Sequence, residues 1–242
     1  MDQDLTAARE IIGHADRLLF LTGAGVSTAS GIPDFRGPNG FWKDEAVAQL
    51  LTWRSFKARP DQVWSWSRAF RELADRAEPN PAHRSLAEYC QRQPATLVTQ
   101  NIDGLHERLH PTFSLHGCIQ RASCPECEMV YTEAWPYATR LPVPFCPRCG
   151  SALRPRIMFF DDFYAPETLE VLERLTEQAS ALVVVGASMV LTLPRKIAGW
   201  MVKRQKPIVE VNLLDTALTP YATVALRGAA AELLPQLLSE AA

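Results

Sequence analysis

Arg17-Leu18-Leu19-Phe20-Leu21-Thr22-Gly23-Ala24-Gly25-Val26-Ser27 is the stretch that decides the fold. Leu18 to Thr22 is a short unbroken apolar run, the pattern of a strand buried on both faces. A strand, then Gly-x-Gly, then a helix is the turn by which a doubly wound sheet receives a dinucleotide pyrophosphate. Glycine lets the backbone turn sharply and approach phosphate, and a helix N-terminus adds free N–H groups and positive potential. Taken alone, the same pattern also marks a tight turn that binds nothing. Just beyond it, Gly31-Ile32-Pro33-Asp34-Phe35-Arg36-Gly37 reads as a mobile flap that brings an aromatic ring and a guanidinium to a ligand. Thr28 stands where the dehydrogenase fingerprint has its third glycine, so hydride transfer fits poorly.

Outward from this stretch the chain alternates. Residues 4–16 carry Leu5, Ala8, Ile11, Ile12 and Ala15 on one helical face. Further strands are expected at Thr96–Thr99, Leu182–Gly186 and Pro207–Asn212, and helices at Pro81–Gln91, Pro166–Ala179 and Pro194–Arg204. Strands alternating with helices predict an α/β fold, a doubly wound parallel sheet covered on both faces. Ligands gather at the carboxyl ends of such strands, so chemistry belongs just after Thr22, Thr99, Gly186 and Asn212. Residues 36–79 interrupt the alternation as a helical insertion, with Trp42, Trp53, Trp64 and Trp66 expected in packing roles. Residues 118–157 form a second insertion, leaving 1–35, 80–117 and 158–242 as the main domain.

That second insertion holds Cys124-x-x-Cys127 and Cys146-x-x-Cys149, with 18 residues between the pairs. This is double-knuckle zinc spacing. Four thiolates close a tetrahedron, so the ion would be structural. Cys90 is expected to be buried, and nothing marks Cys118 as a nucleophile. Between 118 and 150, Arg121, Arg140 and Arg148 are offset by Glu126, Glu128 and Glu133, which disfavours a nucleic-acid-binding ribbon. The formal net charge of -2 gives no field for nucleic acid or anionic lipid. With 47% hydrophobic and 21% charged residues the composition is that of an ordinary soluble protein. Met1-Asp2-Gln3-Asp4 has no apolar run behind it, and the expectation is a cytoplasmic protein.

After the second strand comes Thr99-Gln100-Asn101-Ile102-Asp103-Gly104. Amides and a carboxylate in succession suit sugar hydroxyls or a carboxamide, and Asp103 equally suits a helix N-cap. Ser114-Leu115-His116-Gly117 follows, with glycine leaving a ligand room beside the imidazole.

In order and spacing these motifs resemble the sirtuin family of NAD-dependent protein deacylases. The resemblance runs through 23–27, 31–36, 99–103, 116–117, the cysteine pairs, Arg154 to Phe160, Gly186-Ala187-Ser188 and Val209 to Asn212. It implies a Rossmann-like domain with NAD as co-substrate and one structural zinc held by Cys124, Cys127, Cys146 and Cys149. Gly23, Ala24, Gly25 and Ser27, with Phe35 and Arg36, would surround the pyrophosphate and the adjoining ribose. Gln100 and Asn101 would hold that ribose, Ile102 and Asp103 the nicotinamide amide, and Gly186, Ser188 and Asn212 the adenosine half. His116 would be the general base, with Asn101 and Asp103 also catalytic. The implied products are nicotinamide, free lysine and O-acyl-ADP-ribose. The implied partners are acyl-lysine proteins or peptides, with no membrane, no nucleic acid and no second copy of the chain. Mono-ADP-ribosyl transfer or plain NAD cleavage at the same site is the alternative, and a non-catalytic NAD sensor fits less well.

Three departures matter. Phe160-Asp161-Asp162 stands where many members have Phe-Gly-Glu, at an edge that pairs with the substrate peptide. Ala187 replaces a threonine, and the loop Met189 to Pro194 is one residue longer. Ser67 and Phe70 occupy the positions of a Tyr and an Arg that serve acidic acyl groups, so neutral acyl groups are expected.

Overall fold

The computed structural model describes residues 2–34, 45–132 and 135–239. In chain order the elements begin with α1 (Asp2–Gly13), β1 (Leu18–Thr22), α2 (Glu45–Leu50), α3 (Trp53–Ala58), α4 (Pro60–Arg76), α5 (Pro81–Arg92), β2 (Ala95–Thr99) and β3 (Phe113–Ser114). They continue with β4 (Gly117–Ser123), β5 (Val130–Tyr131), α6 (Trp135–Ala138), β6 (Arg154–Ile157), α7 (Pro166–Gln178) and β7 (Ala181–Val185). The chain then forms α8 (Thr192–Lys203), β8 (Ile208–Asn212), β9 (Val224–Arg227) and α9 (Ala230–Leu238).

Among the described residues the main sheet has the order β3-β2-β1-β7-β8-β9. Every pairing in it is parallel. β1 and β7 are buried at all five positions, which is why they read as unbroken apolar runs. Alternation divides their side chains between two faces. Leu18, Phe20, Val183 and Val185 enter a core under α1, α5 and α9. Leu19, Leu21, Leu182 and Val184 enter a core under α7 and α8. The chain leaves β1 for β2 on one side and β7 joins on the other, so the strand order reverses between β1 and β7.

A second sheet, β5-β4-β6, is antiparallel and carries the cysteine knuckles. The sequence presents residues 36–79 and 118–157 as separate insertions, yet they share a core. Leu51, Phe56, Val63, Trp64 and Phe70 of the helical part pack with Ile119, Ala122 and Leu153 of the other, and with Phe159 just beyond it. Trp64 is fully buried and its indole donates to Leu153 O at 2.7 Å. Trp53 also packs against Phe56 and Phe159; Trp42 lies outside the described residues.

Several boundaries differ from expectation. α1 starts at Asp2 and stops at Gly13. β8 starts at Ile208, because Pro207 has no N–H to enter the ladder. α8 starts two residues ahead of Pro194, which falls in the first turn where an N–H has no helical partner. The edge strands β3 and β9 carry no clear pattern and were not expected. The helix expected straight after Gly-x-Gly is absent from the described residues. Two three-residue 3-10 turns, Ala24–Val26 and Thr28–Ser30, stand there instead, so no helix dipole is available.

Candidate active site at the carboxyl ends of the strands

The turns after β1 and β7 touch backbone to backbone. Gly25 N donates to Gly186 O at 2.9 Å, and Gly23 N to Val185 O at 3.0 Å. A Cβ on Gly25 would lie 2.8 Å from Gly186 Cα, and one on Gly23 would lie 2.8 Å from Ala187 Cα. These glycines therefore serve the closeness of two loops, a reason different from the approach to phosphate that the motif suggests. Gly186 has φ of 58°, and Asn212 reaches across to donate to Ala187 O at 2.9 Å. Ser188 is exposed at the mouth of this loop.

Beside these turns the segment after β2 builds a buried polar network. Asn101 Nδ2 donates to Ser27 Oγ at 3.0 Å and to Gly23 O at 3.2 Å. Ser27 donates to Asp103 Oδ2 at 2.8 Å, while Asp103 Oδ1 accepts from Leu105 N at 2.9 Å. The local cap and the long-range contact thus coexist on one carboxylate, although residues 104–109 form turns rather than the helix expected there. Burial pushes the Asp103 carboxyl above the ordinary carboxylate range, and its two hydrogen bonds pull back.

His83, which the sequence reading missed, joins this network from α5. Its Nδ1 accepts from Asn80 N at 3.3 Å, so its Nε2 carries the proton and faces Ser27 Oγ at 3.4 Å. Burial lowers His83 to about 4, with Arg84 acting the same way. His106 packs against it with ring centres 4.6 Å apart and planes tilted by 53°, and lies 3.1 Å from Thr22 Oγ1. Thr22 gives its own proton to Thr99 Oγ1, so His106 Nε2 is the donor.

Asn101 Oδ1 is buried with no hydrogen-bond partner among the described residues. Asn101 lines a small pocket together with Ala24, Ser27, Ile32, Pro33, Phe70, Ile102 and Asp103. Ile102 and Asp103 are almost fully buried in its wall. Phe35 and Arg36 lie outside the described residues.

His116 stands at the entry to β4, half-buried. Its Nδ1 is 2.7 Å from Gln100 O, and its Nε2 is 2.8 Å from Tyr164 Oη. A carbonyl only accepts, so Nδ1 carries the proton. Burial pulls the imidazole below its ordinary range, against the Gln100 carbonyl, which raises it. Gly117, at φ of 77°, brings β4 against Arg156 and Ile157 of β6. Gln100 N donates to Thr22 O at 3.0 Å, fixing the segment to β1.

The loop after β6 departs from the sequence expectation in its mechanism. Asp161 stores no backbone strain there; its carboxylate accepts Trp53 N at 2.8 and 3.1 Å and caps α3. Phe159 N is held by Asp162, and Phe160 N by Leu51 O. Ser67 is buried with its hydroxyl on Val63 O, and Phe70 packs in the pocket wall. Of the neighbouring cations, Arg68 donates to the carbonyls of Tyr137, Leu141 and Pro142, and Arg71 pairs with Asp75.

Away from the pocket, the thiol sulfurs of Cys124, Cys127, Cys146 and Cys149 lie within 4.8 Å of one another. Each knuckle is closed by backbone bonds, Glu128 N to Cys124 O and Gly150 N to Cys146 O. Four thiolates at these separations fit one tetrahedral zinc with no open position, which makes the ion structural. Cys118 is buried, donates to Gln120 Oε1 and is pushed up to about 11 by burial, so it is no nucleophile. Cys90, expected to be buried, is half-buried.

A parallel sheet with a polar pocket at the carboxyl ends of β1 and β2, whose Ile32, Phe70 and Ile102 share a core with a cysteine-bearing lobe, defines a doubly wound, Rossmann-like protein with a metal module. The Sir2 family model matches residues 23–192. The chain is 37% identical over 246 residues to an NAD-dependent protein deacylase of Thermococcus kodakarensis, covering 94% of this chain and 95% of that protein. It is 35% identical over 241 residues to an NAD-dependent protein deacylase of Thermus thermophilus, covering 97% and 94%. A solved Sir2 homologue in complex with NAD superposes with a TM-score of 0.88 at 34% identity, covering 96% of this chain and 92% of that one. The chain belongs to the Sir2 family.

Proposed function

We propose that this chain is an NAD-dependent protein lysine deacylase that removes neutral acyl groups and releases nicotinamide and O-acyl-ADP-ribose. One observation carries the reading: Asn101, whose buried Oδ1 has no partner among the described residues, lines the pocket, one residue from the carbonyl that anchors His116. A buried amide oxygen left without a donor suits a ligand hydroxyl or amide. The relatives named as deacylases and the solved NAD complex support the same co-substrate.

In this reading Gln100 and Asn101 hold the ribose, and Ile102 and Asp103 hold the nicotinamide amide. Ala24 and Gly25, with Phe35 and Arg36, surround the pyrophosphate and that ribose. Gly23, Ser27 and Gly186 set the walls, and Ser188 and Asn212 line the adenosine half. Bound NAD supplies an electrophilic sugar carbon with a good leaving group. Asp103 favours departure by holding the ring amide, which is binding of the transition state. His116 is neutral, anchored through Nδ1 and aimed through Nε2, so it takes a proton from a ribose hydroxyl as general base. The acyl group is neutral because Phe70 lines the pocket and the neighbouring Arg68 is held by three backbone carbonyls.

The division into 1–35, 80–117 and 158–242, with insertions at 36–79 and 118–157, belongs to the same reading. The zinc lobe stiffens the core it shares with Ile32, Phe70 and Ile102 and does no chemistry. The protein acts as a cytoplasmic monomer without nucleic acid; reduced cysteine usage and a net charge of -2 support this. No helix among the described residues is long and apolar enough to cross a membrane.

A second reading, ADP-ribosyl transfer or NAD cleavage, is favoured by the loop after β6, whose Phe159 and Phe160 donors are already engaged within the protein. Mass spectrometry of the products with NAD and an acetyl-lysine peptide separates the two. O-acetyl-ADP-ribose with free lysine is expected. Free ADP-ribose or modified protein without deacetylation overturns the deacylase.

A further inference from the structure

We propose that Tyr164 is a positioning residue that caps the general base: its hydroxyl occupies the Nε2 lone pair of His116, and productive substrate entry displaces it. The inference rests on the deacylase reading for its consequence, and on geometry for its substance.

Tyr164 Oη lies 2.8 Å from His116 Nε2. The Gln100 carbonyl fixes the proton on Nδ1, so Nε2 is the acceptor and the tyrosine is the donor. The rings meet at 6.2 Å and 35°, so the hydroxyl rather than ring stacking makes the contact. A neutral imidazole has one acceptor nitrogen. While that lone pair holds the phenol proton, it accepts none from a ribose hydroxyl. Burial pushes the phenol up to about 12, so the donor keeps its proton across the working range. Tyr164 is the titratable side chain in contact with His116 among the described residues. Cys118, two residues along the chain, is turned toward Gln120, and Asp162 is paired with Arg154.

The setting permits movement. Tyr164 belongs to the irregular segment between β6 and α7, half-buried at the edge of the core under α7 and α8. Its neighbour Phe163 is 95% exposed, so only one side of the segment is held by packing.

Two substitutions test the cap, Tyr164→Phe and Tyr164→Leu. The first readout uses no substrate: the titration of His116 followed by NMR of labelled histidine, assigned by comparison with His116→Ala. Donation to Nε2 favours the neutral imidazole, so both variants should titrate about 0.5–1 pH unit higher than wild type. The acid limb of kcat/KM for an acetyl-lysine peptide should move by the same amount. KM for the peptide should fall about 2–10-fold, because no hydrogen bond has to be broken on entry. An unchanged His116 titration overturns the cap. So does a fall in kcat with KM constant, which would make the hydroxyl a proton relay. Failure of the deacylase reading would appear separately, as wild type inactive on every acyl peptide.

Discussion

His83 lets acid stability be worked from one side chain. The imidazole is fully buried, and burial lowers it to about 4 from an ordinary 6.5. Because the folded value lies below the unfolded one, the unfolded chain takes up the proton first as pH falls. The stabilisation from the neutral ring is complete above pH 6.5 and drains away toward pH 4. At pH 4.5 the loss amounts to ~2.5 kcal/mol. That is a large share of a typical folding free energy of about 5–15 kcal/mol. His83→Gln removes the titration while keeping an N–H to offer Ser27. It should be about 1–2 kcal/mol less stable than wild type at pH 7.5, through imperfect hydrogen bonding to Asn80 and Ser27. Urea unfolding followed by tryptophan fluorescence at pH 7.5, 6.0 and 4.5 gives the difference directly, and the titration of other groups largely cancels. The gap should close or reverse by pH 4.5. A gap constant across the three pH values would refute the argument, because it would mean the ring does not titrate differently on folding.

His116→Ala should lower deacylation by about 10²–10⁴ while nicotinamide exchange persists, since exchange needs no general base; parallel loss of both would contradict the role. Gly25→Ala should destabilise the fold by about 1–3 kcal/mol and depress NAD turnover, because the new methyl meets Gly186 Cα at 2.8 Å; melting temperature and product formation read both effects. Gly150→Ala should cost about 1–2 kcal/mol from its φ of 77° alone, since nothing lies within 4 Å of the new atom. Zinc removal by a chelator should lower the melting temperature and abolish turnover together, although the four cysteines are not among the pocket-lining residues; restoration of both on adding zinc checks the assignment.

The central strands were legible because both faces are buried, leaving apolar runs such as Leu18–Leu21 and Leu182–Val185 that carry no competing signal. The edge strand β9, Val224–Arg227, is only partly buried and offers no such run. The polar cluster 99–103 and the cysteine pairs were legible because their chemistry lies in adjacent residues. His83 and Tyr164 were not, because their partners Ser27 and His116 lie 56 and 48 residues away. In the structure His83 also completes the Asn80 capping box at the start of α5, a local role that carries no signal of its contact with Ser27. The glycines after β1 were found for the right loop, but the neighbour they make room for became visible only once β7 was seen beside β1.

Trp64 donating to Leu153, and Val63 and Phe70 sharing a core with Ile119 and Ala122, join the helical segment to the cysteine segment through one interior. Neither segment has a complete interior of its own, so neither is a module that could be excised and refolded by itself. Shuffling the knuckles between relatives would transplant half of an interface; the unit that moves intact is the pair.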